Sequence, residues 1–267
     1  MSGLQLFLVG WGGIALVMLV LWYVQYRTRN AGIVDVAWSL GTGLLGVAFA
    51  LVPDGGDPAR KVLVAALVGI WALRLGLHLA QRVSGEAEDG RYRVLRERLG
   101  DRLQPFMFGF FQLQAVWAVL FALPIWAAAR APAEGLQLWD GLGLAVWLVA
   151  MGGEAIADAQ LARFRRTPGN RGKVCRVGLW RYSRHPNYFF EWLHWFAYVL
   201  IGVGSSWWWL TWAGVVAMLV FLLKVTGVPH TEQQALRSRG AEYRRYQRTT
   251  SVFLPLPPKP DPEEARP

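Results

Sequence analysis

From Arg163 to Trp195 the chain reads RFRRTPGNRGKVCRVGLWRYSRHPNYFFEWLHW. Its basic part holds Arg163, Arg165, Arg166, Arg171, Lys173, Arg176, Arg181 and Arg184. Within a few residues it becomes apolar and aromatic, and Asn187 and Glu191 are carried into that apolar part. Guanidinium groups are permanently charged, forked donors that suit phosphates and carboxylates. Gathered at the mouth of an apolar helix, they fit an anionic ligand held at a membrane surface. A topology signal alone would explain arginines beside a span, but not polar residues that continue past its boundary. His185-Pro186 opens the helix well, because Pro suits a first turn and the free N–H groups beyond it attract anions.

Two further polar stripes share this pattern. Arg74, His78 and Arg82 recur every four residues and so lie on one helix face. Glu154 and Asp158 are also four apart, and Asp158, Leu161 and Arg165 continue with helical spacing. Arg184, Asn187 and Glu191 form the third stripe. A charge at membrane depth costs roughly 2.5–3.5 kcal/mol on insertion scales. Structural ion pairs, Arg74 with Asp158 for example, would explain any one stripe; three stripes facing one leaflet fit a shared ligand better. Asp35 sits one turn inside an apolar stretch, where it can cap a helix or face a ligand. Near the end, Glu232 is followed by Ala241-Glu242-Tyr243-Arg244-Arg245-Tyr246-Gln247-Arg248. Tyr243 and Tyr246 share a face if this segment is helical, either as a surface amphipathic helix or as a flap over a cytoplasmic site.

Composition sets the class. The 267 residues are 54% hydrophobic and 17% charged, with 15 tryptophans and a mean hydropathy of +0.26. This is a polytopic membrane protein, not a soluble domain or a disordered chain. A single cysteine, Cys175, excludes an intramolecular disulfide and a cysteine-rich metal site. His185 has no second ligand at metal spacing, so no metal is expected. The net charge of +10 falls mostly between apolar spans, so membrane lipids and an anionic ligand are expected partners and nucleic acid is not. No GxGxxG, Walker loop or Ser-His-Asp order is present.

The elements that must position these residues are seven apolar spans: 4–26, 34–52, 62–80, 106–129, 139–161, 187–203 and 207–228. The second half of the 81–104 connection, with Tyr92, Leu95, Leu99 and Leu103, has the spacing of a short interfacial helix. Pro53-Asp54-Gly55-Gly56-Asp57-Pro58 is a turn, and Pro124 predicts a kink. The first span has no basic leader or cleavage site and is read as a retained helix. Of the 28 Lys and Arg, 23 fall in one set of connections, which places the N-terminus outside and the C-terminus in the cytoplasm. The expectation is an all-α fold, with one transmembrane domain over 1–255, the ligand site in its C-terminal half, and a Pro-rich tail over 256–267.

At these residues a resemblance enters. Gly178-Leu179-Trp180-Arg181-Tyr182-Ser183-Arg184-His185-Pro186-Asn187-Tyr188, with Glu191, resembles the C-terminal domain of the steroid 5α-reductase family. It is closer to that family's bacterial branch, described as a domain of unknown function. Asp158, Leu161 and Arg165 before Pro168-Gly169 are similar as well, as are Trp71-Ala72-Leu73-Arg74-Leu75, Glu88-Asp89-Gly90-Arg91-Tyr92, and Tyr243 to Pro258. The resemblance covers most of the chain from Val34.

It implies seven transmembrane helices in an inner membrane and NADPH bound from the cytoplasmic side. It also implies hydride transfer to a carbon–carbon double bond conjugated to a carbonyl, in a steroid-like or other lipid substrate. Matching positions imply that Arg74, Asp158, Arg165, Lys173, Asn187 and Glu191 contact the cofactor. His78, Arg171, Arg184, Trp195, Glu232, Tyr243 and Tyr246 complete the expected cofactor set. The steroid reductases polarise the substrate carbonyl with a glutamate on the second helix and a tyrosine on the third. The third-helix position holds Trp71 here, which cannot protonate an oxygen, so Asp35 and Tyr188 are the candidates for catalysis. Phe190 stands where the family has a small residue, and Arg171 replaces a smaller one.

Two other classes share parts of the pattern. Isoprenylcysteine carboxyl methyltransferases, which use S-adenosylmethionine, also carry an Arg-His-Pro-x-Tyr run and a tail with Glu and Tyr. A non-enzymatic lipid-binding membrane protein would carry the basic face alone. Asn187, Glu191 and the long basic run suit a triphosphorylated cofactor better than either.

Overall fold

The computed structural model describes residues 3–53, 55–85, 90–132 and 134–261. Asp54 of the expected turn, Glu88 and Asp89 of the resemblance and the last six residues of the tail, 262–267, lie outside the described residues. Nine helices follow one another among the described residues: α1 (Gly3–Thr28), α2 (Ile33–Leu51), α3 (Pro58–Gly85), α4 (Gly90–Leu99), α5 (Leu103–Ala128), α6 (Leu138–Arg166), α7 (Pro186–Ile201), α8 (Trp208–Val220) and α9 (Val228–Thr249). Short 3-10 turns precede α5 and punctuate the α6–α7 connection, and a π turn, Phe221–Val225, joins α8 to the approach of α9. No strand occurs among the described residues; one isolated parallel bridge links Ser183 and Ser251.

Among the described residues six runs are long and apolar enough to cross a membrane: Leu4–Thr28, Ile33–Leu51, Pro58–Gly85, Tyr92–Ala128, Leu138–Arg166 and Trp208–Thr249. In the last run the apolar part is α8 with the π turn. α9 itself carries Arg237, Arg239, Glu242, Arg244, Arg245 and Arg248 and is a polar helix. α7, at the sixth expected span, has 16 residues. That is about 24 Å of helix, short of the ~30 Å hydrocarbon core. The interfacial helix expected after α3 is α4, and α5 continues helical through Pro124.

The chain divides into two compact units, Met1–Gly141 with Tyr198–Gly214, and Leu142–Ala197 with Val215–Pro267. In the first, α2 packs against α3 and α5, and α1 lies on α5. With lipid outside, helices associate by close packing rather than by a hydrophobic drive, so small residues belong at their contacts. Gly43 of α2 is such a contact, since a Cβ there would stand 2.0 Å from the Cβ of Ala72 on α3. Met18, Val34, Phe49, Met107 and Phe111 fill the interior. Leu4, Leu8, Val62, Ile70 and Leu77 remain exposed, as lipid-facing residues should.

A buried ion pair ties the start of α3 to the start of α6. Arg60 Nε and Nη2 each donate to an Asp140 carboxylate oxygen at 2.8 Å, and Nη1 donates to the Ala131 carbonyl at 2.7 Å. Asp57 caps α3, accepting from the Ala59 and Arg60 N–H groups, and also accepts from Gly135 N–H.

Candidate functional site

The second unit contains the basic run and most of the candidate residues, so its geometry is built from α6 outward. Two bonds pin the 3-10 turn Gly178–Arg181 to α6. Leu179 N–H donates to Gln160 Oε1 at 2.8 Å, and the Trp180 indole donates to the Ala157 carbonyl at 2.9 Å. Gly178 has φ +57, and a Cβ there would meet the Gln160 carboxamide at 2.4 Å, so only glycine fits both the backbone and the contact. The turn delivers the chain to Ser183, whose hydroxyl accepts from His185 N–H and donates to the Phe253 carbonyl at 2.8 Å.

Arg184 then faces α9. Its Nε donates to Glu232 Oε1 at 2.6 Å, and its Nη1 donates to the carbonyls of Gln247 and Thr250. Glu232 receives three more side chains: His185 Nε2 at 3.3 Å, the Tyr243 hydroxyl at 3.4 Å and Gln247 Nε2 at 2.8 Å. Burial alone would raise the Glu232 carboxyl, but these donors outweigh it and hold it at about 2. Burial pushes the His185 imidazole down, against the pull of Glu232, and keeps the ring neutral near pH 7. Burial also raises the hydroxyls of Tyr243 and Tyr246 above the usual range. Tyr246 donates to the carbonyls of Trp180 and Ser183, and the Arg176 guanidinium lies 5.4 Å from its ring centre. The carboxylate is thus the hub of a lock between the Arg184-His185 corner and both halves of α9.

α9 reaches this hub from two directions because it breaks at Gly240, where φ is +50. Glu232 lies before the break; Tyr243 and Gln247 lie after it. Past α9, the segment 251–256 runs along 182–184, with Arg184 N–H donating to Ser251 O and Leu256 N–H to Tyr182 O. Asp261, buried, pairs with Arg245 and Arg248.

On the other side of the corner, the Asn187 amide donates to Asp158 Oδ1 at 3.2 Å. This joins two of the three polar stripes, one on α6 and one at the first turn of α7. One turn deeper on each helix lie Glu154 and Glu191, both buried. His194 lies one turn beyond Glu191, with Nδ1 2.7 Å from the Glu191 carbonyl and 3.7 Å from its carboxylate. Trp195 is fully buried beside it. Arg165 is exposed in the last turn of α6, and Arg171 and Lys173 are exposed along the connection. Tyr188 stacks on His185 at 5.2 Å, and its hydroxyl lies 3.1 Å from Thr231 Oγ1 at the start of α9.

Asp35, Arg74 and His78 belong to the first unit. Asp35, in the first turn of α2, accepts from the Tyr92 hydroxyl of α4 at 3.0 Å. Arg74 is half-buried and His78 exposed on α3. Cys175 is buried, and burial pushes its thiol up despite a backbone N–H and the nearby Arg165 and Arg239, which makes it unreactive. Among the described residues no group of three His, Cys, Asp or Glu could hold a metal ion.

Three contributors escaped the sequence reading: Gln247, the neutral His185 as a partner of Glu232, and Gln160 as the anchor of the 3-10 turn. Gln247 was within reach, because positions 243 and 247 are one helical turn apart on the face that carries Tyr243. Gln160 had no such signal.

A family model described as a protein of unknown function, DUF1295, matches residues 21–250. An uncharacterized protein of Schizosaccharomyces pombe, C594.04c, is 26% identical over 88% of this chain and 76% of its own length. No solved structure matches. The match runs from the last turns of α1 through the Arg184-His185-Pro186 corner and the α9 residues that close on it, so the chain belongs to the DUF1295 family.

Proposed function

We propose that this membrane protein is an NADPH-dependent reductase that saturates a carbon–carbon double bond conjugated to a carbonyl in a steroid-like or other lipid substrate. The observation that carries the reading is in the second unit. Exposed Arg165 in the last turn of α6, and exposed Arg171 and Lys173 on the connection that follows, accompany the Asp158–Asn187 pair between α6 and the first turn of α7. The donor set fits the group: cations suit the pyrophosphate and 2′-phosphate, and the Asn187 and Glu191 side chains suit the nicotinamide amide or ribose. Bound there, NADPH would supply a hydride to the β-carbon while a proton goes to the α-carbon, leaving the saturated carbonyl compound. Asp158 orients the Asn187 amide. Arg184 and Glu232 hold α9 against the corner and so limit water around it. Tyr188 is the proposed donor to the substrate oxygen. The proposed topology has seven crossings of the cytoplasmic membrane, with α9 and the basic connections inside.

A second reading rests on the same corner. The tail carboxylate Glu232 contacts both Arg184 and His185, an arrangement equally suited to the resemblance with S-adenosylmethionine-dependent methyltransferases. One titration separates the two. In purified full-length protein, NADPH is expected to shift the melting temperature and to change nicotinamide fluorescence, and Arg165→Ala or Glu191→Ala is expected to weaken both effects. Binding of S-adenosylmethionine without NADPH would establish the second reading. No response to either at millimolar concentration would sink both.

A further inference from the structure

One face of α6 carries a groove of about 470 Å³, lined by Val149, Gly152, Gly153, Ile156, Gln160 and Phe190. That is within the ~300–1,000 Å³ of small-molecule sites. It exists because two glycines are adjacent: a Cβ at Gly152 meets nothing within 4 Å, and a Cβ at Gly153 would strike the Phe190 ring at 2.4 Å. The wall opens outward, with Val149 60% and Ile156 53% exposed, on a helix long and apolar enough to cross a membrane. Its other end changes chemistry. Gln160 lies where the 3-10 turn is pinned, and Arg181 of that turn is exposed. Positions 149, 152, 156, 160 and 163 follow helical spacing, so exposed Arg163 stands one turn past Gln160 on the same face. An apolar trench with exposed arginines on the two elements that meet at its Gln160 end, Arg163 on α6 and Arg181 on the pinned turn, suits an acyl chain with an anionic phosphate at its head.

We propose that this groove binds an anionic phospholipid, with one acyl chain along Gly152 and Gly153 and the phosphate between Arg163 and Arg181. Neither arginine belongs to the proposed cofactor set, so the site stands whether or not the reductase reading holds. The test uses full-length protein in nanodiscs of phosphatidylcholine, doped with a photoactivatable phosphatidylglycerol or with its phosphatidylcholine counterpart. Crosslinks are mapped by mass spectrometry. Label is expected on 149–160, favouring phosphatidylglycerol by at least about five-fold, the contribution of one arginine near an anionic lipid. Gly152→Leu, whose side chain has open space, should abolish the label by filling the trench. Arg163→Gln with Arg181→Gln, both at the surface, should leave the label but remove the headgroup preference. Three outcomes would each overturn the proposal: equal labelling by both probes, label spread evenly over the lipid-facing helices, or a crosslink between two copies of the chain at this stretch.

Discussion

Glu232 accepts from Arg184, His185, Tyr243 and Gln247 while 15% exposed, so its charge is the common counterpart of four side chains. Glu232→Gln keeps the shape and removes the charge, leaving the Arg184 guanidinium half-sequestered with only carbonyl partners. The expected cost is about 2 kcal/mol, the worth of a charge-assisted hydrogen bond. It should be read as a lower melting temperature and faster proteolysis within α9. The same hub sets an acid response. Glu232 has its pKa lowered on folding, so its stabilisation is complete above the ordinary carboxylate value of 4.5 and is lost as pH falls toward about 2. His185 is also lowered, by burial, so below 6.5 the unfolded chain takes up a proton that the folded chain resists. Both groups therefore destabilise the lock in acid. Protection factors across α9, with the intrinsic pH dependence of amide exchange divided out, should fall first below pH 6.5 and again below 4.5, and Glu232→Gln should erase the second step. Arg184 and Glu232 were both legible as single residues, but their partnership was not. They lie 48 positions apart, and one charge has the same local signature whether it meets a phosphate or a carboxylate.

The break in α9 decides whether that partnership can form. A straight helix from Val228 to Thr249 would not bend Tyr243 and Gln247 back to Glu232; the positive φ at Gly240 makes the bend. A Cβ at Gly240 meets nothing within 4 Å, so Gly240→Ala tests the backbone alone. Its expected cost is about 1–2 kcal/mol, with protection lost in 241–249 and kept in 228–239. Gly109→Ala, in α5 and equally uncrowded, should be neutral or slightly stabilising. The long helices were legible because apolar periodicity and length together leave few alternatives, and α4 was legible from its spacing. Their ends were less so. α3 begins at Pro58, ahead of the apolar stretch, because Asp57 caps it and the Arg60–Asp140 pair holds its first turn. That pair escaped notice since a charge at a helix end is ordinary, and its partner lies 80 residues away. Gly178 and Gly240 were equally silent, because scattered glycine is common in spans and only φ separates a required one from a tolerated one.

For the whole molecule the open quantity is the number of crossings, and it turns on α7. On the proposed topology the basic connection before α7 and the basic α9 after α8 share a side, with 23 of 28 Lys and Arg assigned to it. Two arrangements satisfy this: α7 and α8 both cross, or both turn back within one leaflet. Length argues for turning back, since 16 residues give about 24 Å against the ~30 Å core. Content argues for crossing. Trp207, Trp208 and Trp209 cluster at the α7–α8 turn, where an aromatic belt would stand at the far interface, and a short span is accommodated by thinning the bilayer at modest cost. We expect crossing. In a Cys175→Ser background, Ser206→Cys at the turn and Arg166→Cys at the end of α6 are both exposed positions. In sealed right-side-out vesicles a membrane-impermeant thiol reagent should label Ser206→Cys and spare Arg166→Cys until the membrane is opened. If Ser206→Cys is labelled only after lysis, α7 and α8 form a re-entrant pair, the chain has five crossings, and the turn can no longer be drawn on the far face. The side shared by α9 and the basic run survives either result, because it depends on the even number of passes between them and not on their depth.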